Sequence, residues 1–213
     1  RDNITSRTET YQVSNLLNSL AQLKPQRIVT RKQENWDEYE VGDTTGVQVK
    51  IFNQDAVLAV LWIGKESAGN TYVRRGDQDE VYAVNGSVLG TFNKPFNDWR
   101  DKSFLRLKPD SVLRIEFHYP ADSGFVVTKN STGWMAGESA ADSPKVNQFL
   151  ARFRARNLYN FVDDVVPGGE PQFSIRFSDD QKPLAVVKAW KSTDDKLILT
   201  SSLQEGVYFS ADP

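Results

Sequence analysis

Two groups of neighbouring carboxylates are the residues in this chain that could perform acid–base or metal chemistry. Asp77, Asp79 and Glu80 lie in one short segment, and Asp179 and Asp180 lie in another. Paired carboxylates can hydrolyse glycosidic bonds or bind Ca²⁺. The first group lacks the D-x-[DN]-x-[DN]-G spacing of a calcium loop, and both lie at expected hairpin turns, where Asp is common because it bonds its own backbone. We interpret them as turn residues and keep a carboxylate-based glycan hydrolase as an alternative.

The histidine and cysteine content argues against other catalytic or metal chemistry. His118 is the single histidine, and the chain contains no cysteine. A multi-histidine metal site and a cysteine-ligated metal site are therefore excluded within one chain. Because His118 is predicted on the polar face of a strand, we expect no catalytic residue, no metal and no cofactor.

The most concentrated polar and aromatic group is Trp99-Arg100-Asp101-Lys102. Trp and Arg are enriched among the residues that dominate binding energy at protein interfaces. Trp99, Arg100 and Asp101 are therefore the candidate binding residues. The alternative that we favour is structural, with Trp99 filling space between two units while Arg100 and Asp101 pair locally.

Composition restricts the classes of partner. The chain has 213 residues with 26 basic and 28 acidic side chains, a net charge of −2, which provides no general attraction to nucleic acid or anionic membranes. No apolar run approaches the ~20 residues needed to cross a bilayer. The sequence begins at Arg1 rather than Met, so we expect membrane contact only through an anchor absent from this chain.

The sequence carries one pattern twice. An apolar helical stripe, Val13 to Leu20, returns as Val146 to Phe153 at an offset of 133 residues (146 − 13). Strand patterns return at an offset of 126 residues (173 − 47), and their members are Val47–Ile51, Leu58–Leu61 and Val81-Tyr82, matched by Phe173–Phe177, Leu184–Val187 and Val207-Tyr208. A repeated order of helix and strands indicates a repeated structural unit.

The pattern predicts an α+β protein of two homologous repeat units, each a mainly antiparallel sheet with one amphipathic helix packed on it. The units are predicted at residues 1–105 and 106–213. A short strand is also predicted at 39–41, and the second helix at 144–156 with Ser143 as its N-cap. The hairpin predicted at 112–129 has no counterpart before the first helix, so we expect the chain to be a fragment of a longer protein.

Several short motifs resemble domain-of-unknown-function family 4340. They are the helix V-x-x-L-L-x-x-L from Val13 to Leu20, a strand ending in Ile63-Gly64, Tyr72-Val73-Arg74, Val81–Val84, Trp99-Arg100-Asp101-Lys102 leading into Phe104-Leu105, and Trp134 before the second helix. The resemblance implies a bacterial extracytoplasmic auxiliary protein, anchored to the inner membrane and associated with ABC transport or gliding-motility-type systems. It implies no catalytic residue.

The missing catalytic constellation favours a non-enzymatic interaction or scaffold domain. The resemblance implies that this domain is periplasmic, accessory to an envelope ABC-transport complex and bound to a protein partner there. The alternatives are a small-ligand or glycan-binding module, which would need an apolar pocket lined by aromatic side chains, and the carboxylate-based hydrolase introduced above.

Overall fold

A computed structural model describes residues 4–121, 123–192 and 196–211 of the chain. It is an α+β structure in which the paired strands are antiparallel. The chain forms two compact units. One comprises Arg7–Arg100, and the other comprises Asp101–Pro213 together with Arg1–Ser6, apart from the undescribed positions.

The 7–100 unit is a five-stranded sheet with one long helix. Its elements are α1 (Thr10–Gln22), β1 (Pro25–Thr30), a 3₁₀ turn (Gln33–Asn35), β2 (Val47–Asn53), β3 (Ala56–Ser67), β4 (Asn70–Arg75), β5 (Val81–Asn85), α2 (Leu89–Phe92) and α3 (Phe96–Trp99). The strand order is β1-β5-β4-β3-β2.

Alternation along the strands gives this sheet two apolar faces. On one face Ile63, Val73 and Val84 form a core against which Leu16 and Leu20 of α1 pack. On the opposite face Trp62 and Val81 form a second core with Val41 of the segment between β1 and β2, and Trp36, Tyr39 and Tyr72 pack against this core. No residue of α1 is fully buried, so its predicted stripe packs on the sheet while remaining partly exposed.

The 101–213 unit contains a nine-stranded sheet, a two-stranded sheet and one long helix. Its elements are β6 (Ser103–Leu105), a 3₁₀ turn (Pro109–Ser111), β7 (Arg114–His118), β8 (Gly124–Asn130), β9 (Gly133–Ala136), β10 (Ser139–Ala140), α4 (Ser143–Ala151), β11 (Arg156–Asn157), β12 (Phe161–Val162), β13 (Phe173–Ser178), β14 (Pro183–Lys191), β15 (Leu197–Ser201) and β16 (Tyr208–Ala211). The large sheet has the order β10-β9-β8-β7-β13-β14-β15-β16-β12, and β6 pairs with β11.

The core of the 101–213 unit lies between α4 and the large sheet. Leu150 is the fully buried residue of α4, while the predicted stripe residues Val146, Phe149 and Phe153 are partly buried against the same cluster. The ring of Phe149 lies 5.0 Å from that of Phe153 in an edge-to-face arrangement. The stripe therefore faces the sheet, as its spacing predicts.

Helix α4 differs from its predicted bounds at both ends. Asp142, not Ser143, is the N-cap, since its carboxylate accepts the N–H of Lys145 at 3.0 Å. The Ser143 hydroxyl instead accepts the N–H of Trp134. The helix ends at Ala151 because Arg152 and Phe153 bond three residues back, to Phe149 and Leu150, and Arg156 pairs with β6.

The two sheets share a strand order. Following each long helix, the next five strands of the large sheet take the order β13-β14-β15-β16-β12, and those of the small sheet take β2-β3-β4-β5-β1. The register also agrees at the 126-residue offset. Val47 lies opposite Ile63, and Phe173 opposite Ala189. Leu61 lies opposite Arg75, and Val187 opposite Ser201.

Candidate functional site

The predicted binding residues Trp99, Arg100 and Asp101 lie in different environments. Trp99 is partly buried, and the Lys94 ammonium lies 5.8 Å from its ring centroid. Arg100 is only 3% exposed, with its guanidinium donating to Asn97 Oδ1 at 3.3 Å. Neither side chain therefore stands free in solvent, and both of these contacts lie within the 7–100 unit.

Asp101 accepts hydrogen bonds through both its carboxylate and its backbone carbonyl. Its carboxylate accepts the N–H of Ser103 at 2.8 Å, and its carbonyl accepts a hydrogen bond from Gln204 Nε2 at 3.1 Å. Gln204 is itself buried and also donates to the Ser103 carbonyl. Asp101 therefore helps to fix the start of the 101–213 unit.

The carboxylates of the first turn are paired individually. Asp77 forms an ion pair with Arg75 at 2.9 Å, Asp79 accepts from Gln33 at 2.8 Å, and Glu80 lies 3.7 Å from Arg31. Three carboxylates held by three separate partners are arranged for local structure rather than for a shared proton or ion.

The second acidic turn is organised by Asp179. The backbone N–H groups of Gln181 and Lys182 donate to its carboxylate and hold the pKa of the Asp179 carboxyl below its ordinary value. This is the local turn chemistry that Asp favours. Among the described residues, no group of three or more His, Asp or Glu side chains is arranged to hold a metal ion.

The strongest candidate site of the 7–100 unit is a cleft on the face of the five-stranded sheet opposite α1. It encloses about 550 Å³ and is lined by Trp36, Trp62, Arg74, Arg75, Val57 and Leu58 among others. The lining combines aromatic rings, a cationic pair and aliphatic side chains, which is the mixture found at binding sites.

Arg74 is the organising residue of this cleft. Its side chain is 3% exposed, with Nε donating to the Val41 carbonyl at 3.0 Å and Nη2 to Asp43 at 2.9 Å. The guanidinium stacks on the Trp36 ring at 3.7 Å and lies 5.5 Å from the Trp62 ring centroid. Arg74 therefore joins the strand to the segment between β1 and β2 by cation–π contacts and hydrogen bonds.

A close backbone approach holds that same segment on the sheet. Lys65 donates its N–H to the Tyr39 carbonyl at 3.2 Å, and a Cβ at Gly64 would overlap the same carbonyl oxygen. The glycine of the Ile63-Gly64 motif is thus required for space. The segment around residues 39–41, predicted as a strand, forms a turn instead, because its carbonyls and aromatic rings are used in packing on β3.

The 101–213 unit has a cleft at the equivalent position. It encloses about 430 Å³, and its lining includes Val186, Lys188, Thr200, Ser201 and Ser202. These residues lie 126 positions after Val60, Trp62, Arg74, Arg75 and Gly76 of the first cleft (186 − 60). The two clefts lie at equivalent positions in the two sheets, but their linings differ in chemistry because Lys188 and Thr200 occupy the positions of Trp62 and Arg74.

The stacked Arg74 was not among the residues singled out from the sequence. Two signals for it were present. Tyr72-Val73-Arg74 is one of the motifs, and alternation places Arg74 on the same sheet face as Trp62. Its partner Trp36 lies in an irregular polar segment, and no periodicity relates that segment to the strand.

Comparison with known proteins identifies a family but no individual relative. No helix among the described residues is long and apolar enough to cross a membrane. No curated protein and no solved structure matches the chain. The family model described as "Domain of unknown function (DUF4340)" matches residues 5–182. The match covers more than half of the chain, including both long helices and the strands that line the first cleft, and the chain therefore belongs to the DUF4340 family.

Proposed function

We propose that this chain is a non-enzymatic interaction domain whose binding surface is the end of the β2–β3 hairpin and the cleft beside it. The observation that carries the proposal is the exposure of three large apolar side chains at that end. Phe52 is 54% exposed, Val57 53% and Leu58 65%. Grouped exposed apolar side chains mark interaction surfaces in soluble domains.

The geometry gives this surface a rigid base. Phe52 lies opposite Val57 in the hairpin, so their side chains are cross-strand neighbours. Val57 and Leu58 also line the cleft that Arg74 organises. An apolar rim next to a fixed cationic and aromatic wall is suited to a protein partner that buries apolar side chains at the centre and makes polar contacts around them.

We place the partner in the bacterial cell envelope. On this proposal the domain is extracytoplasmic, is anchored to the inner membrane by a segment outside this sequence, and assists an ABC-transport complex. The support for this location is the resemblance of the chain's short motifs to family 4340. The partner, rather than a lipid or nucleic acid, is a protein, in keeping with the net charge of −2.

A glycan-binding module is the second candidate, suggested by the aromatic lining of the same cleft. Sugars bind aromatic side chains through the open faces of their rings. One face of Trp36 is covered by the Arg74 guanidinium, and Trp62 is buried. The rings therefore offer little surface for stacking, and the protein-interaction role is better supported.

Site-specific photo-crosslinking tests the proposal. A benzoylphenylalanine placed at Leu58 in the full-length protein, in its native cells, is expected to crosslink one membrane-fraction protein that mass spectrometry identifies as a transport component. Glu138, in an exposed turn of the other unit, is the control position. Equal crosslinking at both positions, or a crosslink to no envelope protein, would contradict the proposal.

We also infer that the two units are copies of one ancestral unit. The shared strand order and the shared registers at the 126-residue offset support this inference. Because the chain lacks cysteine, cysteine pairs can test it. A Lys50→Cys/Val60→Cys variant and an Arg176→Cys/Val186→Cys variant should both form disulfides on mild oxidation, since both pairs lie directly opposite. Disulfide formation in only one would argue against a common register.

A further inference from the structure

We propose that the outer edge of β2 binds an extended strand of a partner protein, in antiparallel orientation and with the pattern apolar–acidic–apolar. The inference deepens the proposed function by naming the kind of segment that the interaction domain captures. It rests on that function only in requiring a partner protein.

β2 is a long sheet edge within the described part of the chain. It has seven residues and pairs only with β3. The other edges are short or irregular. β10 and β12 have two residues each, and β1 begins at Pro25 and has two breaks in register. Long regular edges are the ones that accept an added strand.

In the large sheet, the strand equivalent to β2 has a neighbouring strand on the side that is open in β2. β13 corresponds to β2 at the 126-residue offset, and it is an interior strand because β7 pairs along its other side from Ser174 to Ser178. The strands at the opposite end of the two arrangements, β1 and β12, are both edges. The difference between the two sheets is therefore confined to the side on which β2 lies bare and β13 is covered.

Gln48 and Lys50 of β2 have backbone N–H and C=O groups that an added strand could pair with. Gly76 donates to the Val60 carbonyl at 2.8 Å, so the Val60 backbone faces β4 and that of Leu61 faces β2, opposite Val49. Backbone direction alternates along an antiparallel strand. Gln48 and Lys50, on either side of Val49, consequently point their N–H and C=O groups away from β3 towards the open edge.

The contacts between β7 and β13 define the chemistry of the bound strand. Glu116 lies opposite Arg176, with Oε2 3.5 Å from Nε, and Arg176 corresponds to Lys50 (176 − 126). Ile115 and Phe117, on either side of Glu116, belong to the core cluster. A strand on β2 should therefore place an acidic residue opposite Lys50 and add apolar residues beside Val49 and Ile51.

Charge argues against a second copy of this chain as the occupant. If two β2 edges paired antiparallel around their centres, each Lys50 would face the other Lys50 or a residue next to it. Like charges opposite one another destabilise strand pairs, and Lys on an edge strand is a recognised barrier to self-association. A partner strand with an acidic residue removes this repulsion.

Two synthetic peptides provide the probe. The first has the β7 sequence LRIEFHY from Leu113–Tyr119 between Gly-Ser ends, and the second, LRIKFHY, carries Lys at the position of Glu116. We expect saturable binding of the first peptide, measured by fluorescence anisotropy, with chemical-shift changes confined to β2 and its neighbours. Lys50→Glu should weaken the first peptide about fivefold and favour the second by a similar factor, the range of a cross-strand charge pair.

Backbone and control variants complete the test. Gln48→Pro removes an outward N–H from an edge strand, where proline is tolerated, and should abolish binding of both peptides while circular dichroism stays unchanged. Lys188→Glu, an exposed lysine on interior strand β14, should leave binding unchanged. Binding that is insensitive to Lys50→Glu and Gln48→Pro would overturn the inference.

The outcomes separate this inference from the proposed function. If Leu58→Ser alone abolishes peptide binding, the cleft is the site and the strand-edge inference is wrong. If the peptides bind β2 but Leu58 crosslinks no envelope protein, the proposed function is wrong while the strand edge stands. If the protein alone forms dimers that Gln48→Pro separates, the occupant is a second copy and the inference is overturned. If the peptides bind this chain but not the full-length protein, a strand of the same protein covers the β2 edge and the inference is likewise overturned.

Discussion

The guanidinium carbon of Arg74 lies 3.7 Å from the centroid of the Trp36 ring, which joins a central strand to the irregular segment between β1 and β2. The same arginine donates to the Val41 carbonyl in that segment. One side chain therefore holds the segment by its ring and by its backbone. The wall of the candidate cleft depends on this arrangement.

Replacing Arg74 with lysine should destabilise the 7–100 unit. Lysine keeps the charge but loses the planar stack and the hydrogen bond to Val41, and a loss of about 2–3 kcal/mol is expected from those two contacts. Urea unfolding followed by tryptophan fluorescence measures it. Arg75→Lys is the matched control. Arg75 forms an exposed ion pair with Asp77, so this substitution should change the free energy of unfolding by less than about 1 kcal/mol. Equal effects would contradict the role given to Arg74.

A methyl group at Gly64 should be costly, whereas one at Gly90 should not. A Cβ at Gly64 meets the Tyr39 carbonyl, while at Gly90 in α2 it meets nothing within 4 Å. Gly64→Ala should lose about 1–3 kcal/mol through overpacking, and Gly90→Ala should gain up to about 1 kcal/mol from helix propensity. Thermal and urea unfolding of both variants check this. A stable Gly64→Ala protein would mean that the segment can move off β3.

Trp99→Ala should lower the melting temperature and leave partner affinity nearly unchanged. Trp99 is partly buried, and the Lys94 ammonium lies 5.8 Å from its ring centroid, so alanine removes buried ring surface and this contact. The expected loss is about 1–3 kcal/mol, below that of a fully buried tryptophan. Tyr159→Ala, at a 62% exposed aromatic, should cost less than about 0.5 kcal/mol. A Trp99→Ala protein of normal stability that loses partner binding would make Trp99 a binding residue after all.

Acid should remove part of the stability that Asp142 provides. The backbone N–H of Lys145 and, secondly, its ammonium group lower the pKa of the Asp142 carboxyl. The contribution is therefore complete above the ordinary Asp pKa of about 3.9 and is lost as pH falls through the lower folded value. Asp142→Asn keeps a cap acceptor but does not titrate, so its urea midpoint should fall less than that of the wild type between pH 5 and about pH 2.5. Parallel pH curves for the two proteins would refute this assignment.

Local periodicity predicted much of the secondary structure. The alternation in Val47–Ile51 and Phe173–Phe177 corresponds to β2 and β13. The first apolar stripe lies on α1, and the second lies on α4 except for Phe153, which follows the end of that helix. Such patterns predict which face of an element is buried, because apolar side chains on one face repeat with the period of that element. The α+β class and the predominantly antiparallel pairing follow from the same patterns.

Contacts between distant segments could not be predicted in this way. The pairing of β12 with β16 and of β6 with β11 joins strands of two or three residues, which are too short to show alternation. The Arg74–Trp36 stack and the packing of Tyr39 over Gly64 depend on an irregular segment whose path is set by the sheet beneath it. For the same reason the sequence singled out Trp99, Arg100 and Asp101, which form a compact motif, and not Arg74.

The position of β7 has a consequence for the order of folding. β7 is synthesised before α4, yet it pairs with β13, about 60 residues later in the chain (174 − 118 = 56 at the nearer end). The five strands of the 7–100 unit, by contrast, are complete in the sequence by Asn85. During synthesis the first sheet can close before β13 is made, when β7 is still an edge strand of the meander β10-β9-β8-β7. The late pairing of β7 with β13 closes a loop about as long as the one that the pairing of β1 with β5 closes in the 7–100 unit (81 − 30 = 51), and it should be a slow step in folding of the 101–213 unit.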